Sequence, residues 1–559
     1  MASRSGSQRR SSPRSQGGSR PRPLLEFRRR SRGLLALAAV ALLIAPLAAC
    51  APPRVVGWRP PPAPEVPGVS LVAPGDGDGS APQPAPVDSA AQLAPDPLQL
   101  GLVGGRLRND ELAFAARFVY IPGAPTFNDR VDELLWQAIS ATGRAYAPQV
   151  QPVGAGLGDR GCVAGSGSWS AADVLSRPET GPVGVGDGVA GTAITCEVTA
   201  AFGEMIAVTL RTVTGAPDAV TSDVSHRLVA DLAHGTVEEL GSRWSDGAPA
   251  ELWDRAVELL RQQAGALSEA PLAAPGEDQL QLAARALDSA RPLADGGVEV
   301  AMPAGLASPE LEGLGIIAAE EFSLRVDAET AQGWASAQQR ELLEASSRPF
   351  VGIAAAATSV PVDCALVPCV ALTYDDGPSG LTPQLLDTLQ RERASATFFM
   401  IGGHASANPE TVQRAASEGH EIGSHSMTHA DLTRLSAADA RAEVLDAAAI
   451  LRRLSGQPVA FYRPPYGAVN AAVLEAVGLP AILWSIDTRD WQDPGADALF
   501  ERAVVQARPG SIVLFHDTHT GTVEAADDVI EGLRDRGFEP VTVTELFGGA
   551  VPSGRVSAR

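Results

Sequence analysis

The sequence predicts an α/β protein: a C-terminal (β/α) barrel preceded by a separate α+β domain. Three observations predict it. Beyond residue 360, strand and helix signals alternate, the pattern of βα units around a parallel sheet. Strand-like runs there end on chemically able residues, Asp375, Arg463, Asp487 and His516, and a barrel keeps its working groups at the C-terminal ends of its strands. A doubly wound sheet also places ligands at strand ends, but would not recruit so many. Residues 99–345 show a different order: an amphipathic helix at Val131 to Ile139, strand-like runs at 195–198, 206–213 and 227–230, then a helix from Trp253 to Gln263.

The barrel opens on Val370-Ala371-Leu372-Thr373-Tyr374-Asp375-Asp376-Gly377-Pro378. An apolar run stops at two adjacent carboxylates and a Gly-Pro turn. Neighbouring side chains on a strand point to opposite faces, so Asp375 and Asp376 cannot do the same job. One can face a metal and the other a substrate or water. Alone, Asp-Asp-Gly is equally an ordinary acidic turn. Thr382-Pro383 opens a helix as N-cap and first-turn proline, and Asn408-Pro409 opens another that Gly419 ends. Ser436 caps a long helix running toward Leu454, with Gly456 just beyond.

The formal net charge is −22 over 559 residues. Arginines crowd the segment before Gly33, against a single acid, Glu26, so the rest of the chain is strongly acidic. Such a body repels nucleic acid, and no basic patch with interleaved aromatics offsets that. All 44 basic residues are arginine. Schiff-base and phosphate-loop lysine chemistry are therefore excluded.

Arg28-Arg29-Arg30-Ser31-Arg32 precedes an apolar run from Leu34 to Ala49 that stops at Cys50, the pattern of an export signal. The run is short for a membrane span. Leu47-Ala48-Ala49-Cys50 resembles a bacterial lipobox, which implies a signal peptide over 1–50 and a lipidated Cys50 at the mature N-terminus. An ordinary cleaved signal and an uncleaved anchor are the other readings. Residues 51–98, rich in Pro, Ala and Gly, read as a tether holding the protein off the outer face of the cytoplasmic membrane. A linker follows the α+β domain over 346–362. The remaining cysteines, Cys162, Cys196, Cys364 and Cys369, are even in number, which in an exported chain favours disulfides. Proximity suggests Cys162 with Cys196 and Cys364 with Cys369. Paired C-x-x-C spacing is absent, which argues against structural zinc.

The histidines are 226, 234, 404, 420, 425, 429, 516 and 519. His425 and His429 are four apart, a spacing that shares one face of a helical turn and can grip one divalent ion. A carboxylate added to them gives three ligands and an open position, the composition of a catalytic zinc site. His226 and His234 lack ligand spacing and read as solvated or capping. His404, His420 and His519 match no ligand position.

Taken together, Thr373-Tyr374-Asp375-Asp376-Gly377-Pro378, His425-Ser426-Met427-Thr428-His429, Arg463-Pro464-Pro465-Tyr466, Asp487-Thr488-Arg489-Asp490-Trp491 and Leu514-Phe515-His516-Asp517 resemble the five ordered motifs of polysaccharide deacetylases. These are the NodB-homology enzymes of carbohydrate esterase family 4. The resemblance covers roughly 365–548, within a domain set at 363–549, and implies a distorted (β/α) barrel. Its one departure is Tyr374, where Phe is more usual. The stretch from Val229 to Val237 resembles the small α+β module that sits ahead of some secreted wall deacetylases.

The resemblance implies that Asp376, His425 and His429 hold one divalent metal, most often Zn2+, with Co2+ an alternative. Asp375 would be general base and Arg463 would orient it. The Tyr466 N–H would bind the oxyanion. His516 would be general acid, tuned by Asp490, with Leu514 and Trp491 walling the acetyl pocket. The chemistry agrees: amide hydrolysis needs a nucleophile, an electrophile and a proton for a poor leaving group. A divalent ion serves the first two, and histidine suits the third. The implied substrate is an acetylated glycan, foremost the N-acetylglucosamine of peptidoglycan. Chitooligosaccharides or acetylxylan on the same site are alternatives, as is a non-catalytic wall-binding lipoprotein.

Overall fold

The computed structural model describes residues 66–72, 100–186, 189–241, 243–264, 271–314, 321–353 and 360–559. The export signal, Cys50, most of the 51–98 tether and part of the 346–362 linker lie outside them. Among the described residues, no helix is long and apolar enough to cross a membrane.

The strand Cys369–Asp375 is buried along its whole length. This is why it reads as a continuous apolar run: a parallel strand in a covered sheet has no wet face. It pairs in parallel with Thr397–Met400 on one side and Ser511–His516 on the other, and its start also pairs with Glu539–Val541. Glu421–Ser424 and Ile486–Asp487 extend the sheet outward. Parallel bridges from Ser424 to Tyr462 and from Tyr462 to Ala481 continue the wall. Arg555–Val556 pairs with Ala481–Ile482, so the barrel uses residues beyond the expected limit of 549. All these strands are parallel, and the sheet is a distorted (β/α) barrel whose strand ends share one face.

Between the sheet and its outer helices, Tyr374 stacks on Phe398 and Phe515, with centroids 5.4 and 5.5 Å away. Such pairs add about 0.5–1.5 kcal/mol beyond burial, and the ring occupies its place as a phenylalanine would. The helices begin near the expected signals, with one difference. Ser436 caps Ala437–Ser455 by accepting from the Asp439 N–H, and Gly456 ends it at φ 71°. Thr382, however, is the first residue of Thr382–Glu392 and not its N-cap, which is Leu381. The Thr382 hydroxyl is engaged with Asp517 instead.

The α+β part upstream is built on two sheets. The strands Val103–Asn109, Phe114–Tyr120, Gly191–Phe202, Met205–Ala216, Ala219–Asp231 and Thr236–Leu240 form one in sequence order, with Pro125–Ala141 packed on it. Phe322–Val326, Val298–Met302 and Arg291–Pro292 form the other, beside the helices Ala248–Gln263 and Glu277–Asp288. Val69–Leu71, from within the expected tether, is the edge strand of this second sheet. Val69 is buried and Ser70 exposed, so even three residues here alternate as a half-covered strand should.

Both disulfides pair as proximity suggested, Cys162 with Cys196 and Cys364 with Cys369. The first sheet shares a continuous apolar core with the barrel. Trp136 Nε1 donates to Asp363 Oδ2 (3.0 Å), the Tyr146 hydroxyl to the Leu366 carbonyl, and Arg536 Nε to the Gln151 carbonyl (3.0 Å). The first two contacts fall just ahead of Cys369, at the opposite end of that strand from Asp375.

Candidate active site

Strand alternation sorts the two aspartates. Tyr374 and Phe515 face the outer helices, so their neighbours Thr373, Asp375, Leu514 and His516 face inward. Arg463 is wholly buried. Its Nη1 donates to Asp375 Oδ1 and Thr373 Oγ1 (both 2.8 Å), Nε to the Ile482 carbonyl and Nη2 to the Leu483 carbonyl (both 3.1 Å). Burial pushes the guanidinium below its usual value while Asp375 opposes the shift. Because Arg463 is fixed by two backbone carbonyls, it fixes the Asp375 carboxylate in turn.

Asp376 follows with φ 74°, which swings its carboxylate away from Asp375. Its Oδ1 lies 3.4 Å from His425 Nε2 and 3.2 Å from His429 Nε2. The two histidines do meet, but not on a helical turn. They lie on an irregular loop after Glu421–Ser424, with Ser426 at φ 64° and His429 at φ 63°. Left-handed backbone at non-glycine residues costs of order 1–3 kcal/mol each and collects at working sites. His425 Nδ1 donates to the Arg463 carbonyl (2.8 Å), so its Nε2 lone pair is the one facing Asp376. Burial works against it, yet the imidazoles when protonated, His425 foremost, hold the Asp376 carboxyl down at about 2. Burial and His425 push the His429 imidazole down.

These three residues can hold a metal ion. The fit is chemical as well as spatial. Asp376 Oδ1 is buried with no hydrogen-bond partner, and a buried acceptor left unpaired is costly. A divalent cation bound by this acid and two neutral imidazoles would satisfy it.

On the neighbouring strand, His516 Nδ1 bonds Asp490 Oδ1 (2.8 Å). The Asp490 carboxylate also accepts from the His516 N–H (2.6 Å), the Thr522 hydroxyl (2.6 Å) and the Trp491 N–H (3.0 Å). Burial opposes the shift, but Asp490 raises the His516 imidazole to about 9. Leu514 is buried, while Trp491 and Tyr466 are 53% and 71% exposed. Tyr466, at φ 62°, sets its ring edge-on to His429 at 4.6 Å.

Three residues without an assigned role also belong here. His404 Nδ1 donates to the Asp376 carbonyl (2.8 Å), and the ring lines a cavity of about 500 Å³ with Asp376, Met427, Thr428, His429 and Thr518. Asp517 is buried, accepts from the Thr382 hydroxyl (2.5 Å), and is raised by burial to about 7. Its carboxylate fills the space a side chain on Gly377 would need: a Cβ there would lie 2.3 Å from Asp517 Oδ2. Glu443 anchors the histidine loop. His404 and Glu443 lie outside the five motifs, while Asp517 closes the last of them directly after His516. His420 is buried among apolar neighbours, its Nδ1 accepting from the Ala396 N–H (3.3 Å), and burial drops it to about 3. It plays no part in the site. His519 stands beside His516, rings 6.0 Å apart. A larger cavity of about 990 Å³, lined by Leu102, Arg160, Phe500 and Arg534 among others, contains none of these groups.

Residues 364–479 match the polysaccharide deacetylase family. The peptidoglycan-N-acetylglucosamine deacetylase PgdA of Listeria monocytogenes serotype 1/2a (strain 10403S) is 41% identical over 187 residues, 33% of this chain and 40% of that protein. The peptidoglycan-N-acetylmuramic acid deacetylase PdaC of Bacillus subtilis (strain 168) is 38% identical over 178 residues, 32% of this chain and 38% of that protein. A chitooligosaccharide deacetylase of Sinorhizobium fredii (strain NBRC 101917 / NGR234) is 38% identical over 198 residues, 32% of this chain and 92% of that protein. The chain belongs to the polysaccharide deacetylase family. It spans about 40% of the length of the two peptidoglycan deacetylases it matches.

Proposed function

We propose that this chain is a metal-dependent N-deacetylase of cell-wall glycan, acting on the N-acetylglucosamine of peptidoglycan and releasing acetate. One observation carries the reading: Asp376, His425 and His429 converge beside an aspartate locked by a buried arginine, with a carboxylate-paired histidine on the next strand. The names of the peptidoglycan deacetylases it resembles support the choice of glycan.

A divalent cation held by Asp376, His425 and His429, zinc or else cobalt, would supply a Lewis acid for the acyl oxygen and acidify water. Asp375 accepts the proton of the attacking water, its carboxylate held in place by Arg463. The Tyr466 N–H donates to the developing oxyanion. His516, kept protonated by Asp490, gives its proton to the departing amine. Leu514 and Trp491 flank the acetyl methyl. The lipobox-like Cys50 would anchor the protein on the outer face of the cytoplasmic membrane, facing the wall.

Acetate release from purified peptidoglycan, with and without a chelator, tests the reading. Activity that resists chelation, or none after zinc is restored, would refute it. The Sinorhizobium relative favours chitooligosaccharides as a second substrate, and a glycan panel in the same assay ranks the two.

A further inference from the structure

The loop that carries both histidines is gripped by a side chain from the helix that follows it. Glu443, half-buried on Ala437–Ser455, reaches across with both carboxylate oxygens. Its Oε2 accepts from the backbone N–H groups of Met427 (3.0 Å) and Thr428 (2.9 Å), and its Oε1 from the Thr428 hydroxyl (2.9 Å). On the opposite side of the loop the Gly402 N–H donates to the Ser426 carbonyl (3.0 Å) and the Gly403 N–H to the Met427 carbonyl (3.1 Å). Ser426 Oγ accepts from the His429 N–H (2.9 Å). Met427 and Thr428 lie between His425 and His429, so the grip falls on the span that sets how far apart the two imidazoles stand. An ionised carboxylate suits the task because it only accepts and can take several donors at once. The loop's left-handed turns at Ser426 and His429 would relax without such a hold.

We propose that Glu443 is the positioning residue that fixes the spacing of His425 and His429, and thereby the affinity of their site for a divalent cation. The proposal rests on the reading of Asp376, His425 and His429 as cation ligands. Glu443 touches neither ring. It acts through the backbone between them, as partners of metal ligands do elsewhere.

The test uses the full chain, stripped of metal, in the wild type, Glu443→Gln, Thr428→Ala and His425→Ala. Zinc affinity is read by competition with a chromophoric chelator, Co2+ coordination by visible absorption, and folding by the thermal midpoint of the metal-free protein. Glu443→Gln keeps one acceptor oxygen for the two backbone N–H groups but loses the charge and the second acceptor that takes the Thr428 hydroxyl. It should weaken zinc binding roughly 10-fold, the low end of the range for loss of such a partner, with an altered Co2+ spectrum. Thr428→Ala removes one bond and should cost about 3- to 10-fold. It serves as the readout if Glu443→Gln folds poorly. Wild-type affinity and spectrum in both variants would overturn the proposal, as would a lower midpoint with unchanged affinity, the mark of a purely structural contact. A wild type that binds no zinc, and is indistinguishable from His425→Ala, overturns the cation site and the proposal together. Wild-type binding that survives Glu443→Gln removes Glu443 alone.

Discussion

Asp375 and His516 are register partners on adjacent parallel strands, Cys369–Asp375 and Ser511–His516. Strands in a sheet lie about 4.8 Å apart, so the proposed proton acceptor and proton donor flank one small space without either leaving regular structure. Arg463 fixes the first and Asp490 the second. The candidate cation ligands Asp376, His425 and His429 stand beside them.

Replacing Asp376 with Asn, or His425 with Ala, removes a converging ligand. Each variant should lose bound zinc and at least about 10³-fold in kcat, since a Lewis acid contributes several kcal/mol. Metal content of the purified protein, compared with acetate release, checks it. An active, metal-free Asp376→Asn protein would contradict the site.

The His516 imidazole is raised to about 9 by Asp490, so it stays protonated across neutral pH. The rate should fall as pH rises through about 9. Asp490→Asn should draw that limb down toward the ordinary imidazole value of about 6.5. The same pair affects stability. A folded pKa above the unfolded one gives a contribution fully present below about 6.5 that is lost as pH climbs through about 9. Midpoints of wild type and Asp490→Asn should therefore differ most below about pH 6.5 and converge above about 9. His516→Ala should also damage amide cleavage far more than ester cleavage, because an alcohol leaves without such help.

Arg463→Met should be severe for folding as well as activity. It strands the buried Asp375 carboxylate and two backbone carbonyls, and breaking one side of a buried pair costs about 3–5 kcal/mol. Urea unfolding measures this. Arg463→Lys retains the charge but cannot span Asp375, Thr373, Ile482 and Leu483 together, so it should keep part of the stability and little of the rate.

Gly377→Ala should displace Asp376 and the strand end at Asp375, because the new methyl meets the Asp517 carboxylate at 2.3 Å. Zinc binding should drop with activity. Adding Asp517→Ala opens the space and should recover part of both. No recovery in the double variant would show that the clash is not the cause.

Much of this site was legible along the chain. Asp375, Asp376, His425, His429, Arg463, Asp490 and His516 all fall at strand ends or just after them, where local patterning and motif order point. The α+β part was read as elements without its division into two sheets, because strand signals do not reveal which strands pair. Even the histidine spacing misled: four residues apart suits a helical turn, but here the pair sits on a loop with two left-handed residues.

The sequence by itself determined the chemical types, their order and the strands that carry them, because alternation and turn residues act over a few neighbours. Only the tertiary structure decided what holds them still. Glu443 grips a loop some fifteen residues upstream, and Asp517 packs against Gly377 from the far end of the domain. Trp136 reaches Asp363 across the join between modules. Such contacts depend on how elements are stacked, and no local pattern encodes a hydrogen bond between segments that meet only after folding.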